Sequence, residues 1–352
     1  MAQKNNFDII LNTSRSFGGY EEITSSADLA TWQGIVKYYS QSDLTSSHGK
    51  ITIYIDWSPA ETYARKLAEL YSQPPDVISK TITENPNFFA NKLVCQAMVE
   101  FEENSEHFRL WTGNDLLEHF LYELFLLANL ATPGCFNLYR SYIRVPKLDP
   151  TKDVFAQTEL ELSEYLFESA WHEAQQSAWL KVGFQPFENV LEWYRRHNIG
   201  FRQVAKTNIE RALFSLLHLS RREFFEPEAT LWIASALEAV FDTPHGSSFQ
   251  YLNNRISNLL VLSDKEKAIL KKKLREFYDI RNGFVHGGGV ICHPLTNEAW
   301  DGEVDEVVMR IIQSNNFAVT ILLSSVQELI RNNSVGFMFT ETIKNIPFNK
   351  TP

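Results

Sequence analysis

The chain of 352 residues has little cysteine: Cys95, Cys135 and Cys292 are far apart and odd in number, so no disulfide framework is indicated. It has no Cys-x-x-Cys pair, which argues against a structural zinc site. The neighbours Cys292 and His293 read as ordinary loop, because adjacent side chains rarely serve one metal. Met1 to Ser14 lacks an uninterrupted apolar run and a small-residue cleavage pattern, so no signal peptide is expected. Long hydrophobic runs are missing too. Leu116 to Ala131 is broken by Glu118, His119 and Glu123. Phe317 to Val326 is about ten residues, short of what a hydrocarbon core of ~30 Å requires. These absences lead to the expectation of a reduced, cytoplasmic protein with no membrane partner. The phosphate loop, the dinucleotide Gly-x-Gly-x-x-Gly, the metalloprotease His-Glu-x-x-His and the nucleophile elbow Gly-x-Ser-x-Gly are all absent.

What is present is an ordinary globular composition with a skewed charge. The 33 basic and 43 acidic side chains leave a net charge of −10, which disfavours coating nucleic acid by bulk electrostatics. Residues 1–199 carry 16 basic and 26 acidic side chains, while residues 200–352 carry 17 of each. The excess acid therefore lies in the first part and points there to a protein-binding or restraining role rather than a grip on RNA. Lys265 to Arg281 holds seven basic and three acidic residues, either a small basic patch or a solvated helix face.

The length suits roughly two domains. We expect an α+β region over 1–200 and an all-α bundle over 201–352, so the whole is α+β, mainly α. Phe7–Asn12 and Lys50–Asp56 read as strands in a first sixty residues of mixed strand and turn. Ser58, Pro59 and Glu61 predict a helix start, with Ser58 as N-cap, and Pro74-Pro75 a stop. Asn114 or Asp115 caps a second helix, which Pro133-Gly134 ends. Residues 136–157 read as irregular. After residue 202 the pattern predicts helices over about 203–222, 227–241, 249–261, 264–286 and 304–331.

The chemistry concentrates in Phe277 to Gly289. Arg281 and Asn282 are followed by His286 and three glycines at the end of a predicted helix, with Gly287 placed as its C′ residue. Upstream, Leu231 to Phe241 carries a single acid, Glu238, in an apolar run. Histidine suits proton transfer near neutrality. Arginine offers a planar, permanently charged fork to a phosphate. RNA cleaves itself when its 2′-hydroxyl is deprotonated and its phosphate charge is neutralised, so this pair fits a metal-independent route. Each residue also has a plainer role: Arg281 as partner of Glu276 or Asp279, His286 as a helix cap, Asn282 as helix-end polarity, and Glu238 as a buried acid satisfied by a neighbouring helix.

Arg281-Asn282-x-x-x-His286, taken with the Leu231 to Phe241 helix and Glu238, resembles the HEPN superfamily, most closely its Apea-like branch, over about the last 150 residues. The resemblance implies an up-and-down helical bundle that forms a homodimer. It implies that two Arg-x4-His motifs meet at the dimer interface as an endoribonuclease site, with Arg281, Asn282 and His286 catalytic, RNA as substrate, and no cofactor or metal. It further implies a place in antiphage or toxin-type defence, with a protein trigger or antitoxin as possible partner. Other members of the superfamily are non-catalytic modules that bind RNA, a nucleotide or a protein. One branch carries a tyrosine two residues after the histidine; Gly288 stands there, so that branch's modification switch is not expected.

Overall fold

The computed structural model describes residues 3–12, 21–46, 49–85, 89, 92–102, 110–146, 148–149, 151–153, 156–177, 179–200, 202–221, 226–244, 248–293 and 299–340. The architecture is α+β, with an antiparallel sheet in the N-terminal half and helices throughout the C-terminal half. The strands are β1 (Gln3–Leu11), β2 (Gln41–Ser46), β3 (Gly49–Ile55), β4 (Leu93–Phe101), β5 (Ser141–Arg144) and β6 (Gln157–Leu160), in the spatial order β2-β3-β4-β1-β5-β6. All pairs are antiparallel; β1 is central and runs in register with β4 from Gln3↔Phe101 to Leu11↔Leu93. One face is apolar by period-two alternation: Cys95, Ala97, Val99 and Phe101 of β4 are buried and their sequence neighbours less so.

α2 (Ser58–Tyr71) and α4 (Leu110–Ala131) pack on the sheet and α1 (Glu22–Tyr38) packs on both of them, while α3 (Pro75–Glu84) lies outside with no buried residue. Five details differ from the sequence-based expectations. α4 begins at Leu110, so Asn114 and Asp115 lie inside it and do not cap it. α1 sits where strand and turn were expected, because most of its buried face is polar: Thr24, Ser25, Asp28 and Thr31 accompany Trp32 and Ile35. The expected N-cap of α2, Ser58, is its first helical residue; Trp57 is the N-cap, and the Asp56 carboxylate accepts the Ser58 N–H at 3.0 Å. Pro75 opens α3 instead of merely ending α2, since proline at the first turn forfeits no helical hydrogen bond. The irregular stretch 136–157 contains β5 and the start of β6, too short for the sequence pattern to show.

The remaining helices are α5 (Tyr165–Gln176), α6 (Phe187–Arg196), α7 (Asn208–Ser220), α8 (Pro227–Val240), α9 (Ser248–Leu259), α10 (Asp264–Val285) and α11 (Glu303–Arg331). α7 starts at the Thr207 cap, later than expected, and packs on α8. Asn208 bonds Asp242 and His218 stacks on Trp232, which makes the α7–α8 pair antiparallel. α11 has the length and composition to cross a membrane, yet Phe317 to Gln327 is buried throughout, packed among α5, α8 and α10. The core is continuous across residue 200. Gln327 of α11 donates to the carbonyls of Leu130 and Gly183 and accepts the Gly183 N–H, tying the helical half to the sheet half.

Candidate functional site

The Arg281 motif is positioned by α10. Ser263 and Glu266 close a capping box at its start, so the helix phase is set from its first turn. Leu270, Leu274, Phe277, Tyr278 and Ile280 are the buried residues, the first four forming a stripe at spacings of four, three and one. The next place on that stripe, three residues beyond Tyr278, is Arg281. This is why its side chain is half-buried. Its Nε is buried without a hydrogen-bond partner, and its Nη1 donates to Asn282 Oδ1 at 3.0 Å. Arg281 makes no ion pair with Glu276 or Asp279; Glu276 is taken by Lys272 at 3.9 Å.

The neighbouring contact is Tyr278 to Glu238. The phenol donates to Glu238 Oε1 at 3.0 Å, so the one acid of the apolar α8 run is satisfied by a neighbouring helix. Burial pushes the Tyr278 phenol well up, and the Glu238 charge and hydrogen bond add to it. The Arg281 guanidinium and Ser248 pull the other way and lose. Glu238 thus holds α10 against α8 and, through Tyr278, fixes the platform beside Arg281.

His286 is the C-cap of α10 and exposed, with no hydrogen-bond partner for its imidazole among the described residues. Its own N–H reaches back to the Asn282 carbonyl at 2.9 Å. Gly287 has φ +74, and the Gly288 N–H bonds the Gly283 carbonyl at 2.9 Å, the six-to-one bond of a Schellman turn. Gly289 then lies flat on the helix end; a Cβ there would sit 2.9 Å from the Gly283 carbonyl carbon. Arg281 and Asn282 are therefore brought together. His286 is not in contact with Arg281: five residues turn an α-helix by about 140° and advance it by about 7.5 Å.

The surroundings are less basic than the sequence count suggests. Lys267 pairs with Asp264 at 3.5 Å, and Lys273 pairs with Glu173 at 3.1 Å under the ring of Phe317. Arg275 lies over Phe249. Lys265 and Lys271 are exposed and outside any ion pair among the described residues. Val285, inside the motif, and Val290 and Ile291, after it, are exposed at 48%, 64% and 72%, an apolar rim around the turn. No group of three His, Cys, Asp or Glu that would hold a metal occurs among the described residues.

A cleft that no sequence motif marks lies elsewhere, between α4 and α7, and includes none of Arg281, Asn282 and His286. Its side chains come from four separate chain segments, so no local spacing marks it. The one sequence signal was polar residues, His119 and Glu123, inside an otherwise greasy helix. No family model, curated protein or solved structure matches the chain.

Proposed function

We propose that the chain is a HEPN-type protein of the Apea-like branch that cleaves RNA without a metal, as a homodimer in the cytoplasm, in antiphage or toxin-type defence. The observation that carries the reading is the end of α10: a half-buried Arg281 continuing the core stripe, and an exposed His286 on a Schellman turn. In this reading His286 takes the proton of a ribose 2′-hydroxyl while Arg281 neutralises the phosphate. The 2′-oxygen bonds to phosphorus and the bond to the 5′-oxygen breaks. That oxygen leaves as a hydroxyl with the proton His286 received. Asn282 steadies the guanidinium. The second copy supplies the other Arg-x4-His motif, which relieves the separation of Arg281 and His286 along one helix. The acidic residues 1–200 serve as the regulatory part, where a trigger or antitoxin docks.

The separation of Arg281 from His286 within one chain favours a second reading, a HEPN-like module that binds RNA, a nucleotide or a protein partner without cleaving. The two readings part in one assay. The protein is incubated with RNA in EDTA beside Arg281→Ala and His286→Ala, each checked for fold and mass in solution. Cleavage by wild type alone, with 2′,3′-cyclic phosphate ends, supports the enzyme. Full cleavage by His286→Ala removes His286 as the base, and a folded dimer that binds RNA uncut favours the module.

A further inference from the structure

The seam between the sheet half and the helical half holds a cleft of about 210 Å³, walled by α4, the end of α6, the turn into α7 and α7 itself. Its apolar surface comes from Leu126, Ile199, Phe214 and Leu217. At its inner end is Glu123, whose two carboxylate oxygens accept the phenols of Tyr39 and Tyr194. Each oxygen keeps a lone pair for a further donor. Two guanidinium groups and two imidazoles line the rest: Arg202, Arg221, His119 and His218. His218 lies flat on Trp232, with ring centroids 4.1 Å apart and planes within 7°, so its orientation is fixed.

The cations have capacity left over. Arg202 gives Nη2 to Glu210 at 2.6 Å, but its Nε is buried with no hydrogen-bond partner. Arg221 gives Nε and Nη2 to a single oxygen of Glu161 in a solvent-exposed pair, and its Nη1 takes no part. Glu161 and Glu210 are outside the lining, so the lining has two guanidinium charges and one carboxyl. Burial raises the Glu123 carboxyl above the usual range against the pull of Tyr39, Tyr194 and Arg195. Burial also pushes the Tyr122 phenol up to about 12 and holds the His119 imidazole below its ordinary value. Glu118, beside Tyr122 and Arg221, is likewise raised by burial. Burial thus works against charge at the inner end, and the two guanidinium groups at the sides and mouth each pair with a carboxylate outside the lining, Arg202 with Glu210 and Arg221 with Glu161.

We propose that this cleft binds a small flat anion: a one- or two-ring molecule with a phosphate or carboxylate at one end and an N–H or O–H donor at the other. The anionic end meets Arg221 and Arg202, the ring lies against Phe214 and Leu217, and the donor reaches Glu123. Apolar walls with a few converging polar groups are the usual make-up of ligand sites. The volume is below the roughly 300–1,000 Å³ of sites for larger ligands, which sets the one- or two-ring limit. The site is independent of the Arg281 motif and of the ribonuclease reading.

Calorimetric titration of the full chain tests it with two probes, pyridoxine 5′-phosphate and 4-hydroxybenzoate, each a single flat ring with an anion at one end and a hydroxyl donor. These share the chemistry and separate a phosphate-ester source from an aromatic-acid source. One-to-one binding of either is expected, weakened at least tenfold in Arg221→Ala, an exposed position whose loss leaves the fold intact. Leu217→Trp fills the cleft and is expected to abolish binding in a protein that still melts cooperatively. Failure of both probes to saturate at millimolar concentration overturns the proposal. So does binding of equal strength in wild type and Arg221→Ala.

Discussion

Glu123 and Glu210 are two carboxyls on which the same fold acts in opposite senses. Burial raises Glu123, and the two phenols that donate to it only partly offset that. Burial also works to raise Glu210, but the Lys206 N–H at 2.6 Å, the Arg202 charge and the Thr207 cap outweigh it, and the carboxyl is held below its usual range. A carboxyl raised in the folded state binds its proton more readily there than when unfolded. Its favourable contribution is present at low pH and lost as pH rises through the folded value. Wild type should therefore lose stability relative to Glu123→Gln as pH climbs from the ordinary carboxylate range towards neutrality. Melting the two proteins in parallel across that range checks it, and a constant difference would contradict it. Glu210 works the other way: its contribution is present above the ordinary value and disappears as pH falls through the lowered one. Beside the motif, Tyr278→Phe removes the donor to Glu238 and should cost about 0.5–1.5 kcal/mol in denaturant unfolding. An unchanged midpoint would mean that the α8–α10 contact rests on packing alone.

At the level of elements, α10 was the most legible part of the chain. Its capping box, its stripe and its glycine C′ residue are all local signals, and the helix starts and ends within a residue of the sequence-based range. The placement of Arg281 at the edge of the buried stripe follows from the same periodicity. The exposure of His286 follows from the turn. By contrast α1 hid behind a polar buried face, where Thr31 meets the Thr132 hydroxyl at 2.8 Å, a partner 101 residues away. β5 and β6 are four residues each, and their pairing is set by the sheet rather than by their own pattern. The turn after α10 offers a direct test. Gly287 has open space around its Cα but a left-handed backbone, so Gly287→Ala should cost about 1–2 kcal/mol through backbone strain alone. Equal stability by chemical denaturation would show that the turn relaxes. On the ribonuclease reading, the same change should also lower cleavage, because it moves His286 relative to Asn282.

For the whole molecule, the continuous core matters more than the change in composition near residue 200. Gln327 reaches two carbonyls and one N–H in the other half from a buried position on α11. Gln327→Ala strands those three groups and should cost about 3 kcal/mol or more, at about 1–3 kcal/mol per unsatisfied buried group. Far-ultraviolet circular dichroism and tryptophan fluorescence should follow a single unfolding transition, since both halves share the core; two separated transitions would contradict this. The cleft between α4 and α7 was illegible in the sequence for the same reason, because its walls meet only when the halves pack. The central claim, that the end of α10 cuts RNA through the 2′-hydroxyl, is tested most directly by single-turnover cleavage in EDTA. An all-ribose RNA would be compared with the same strand carrying one 2′-deoxy residue at the mapped cut. The account predicts cyclic phosphate ends from the first, no cut at the substituted position, and no cut of either strand by His286→Ala. Equal cleavage of both strands, or no cleavage of the all-ribose RNA by the folded protein, would contradict it.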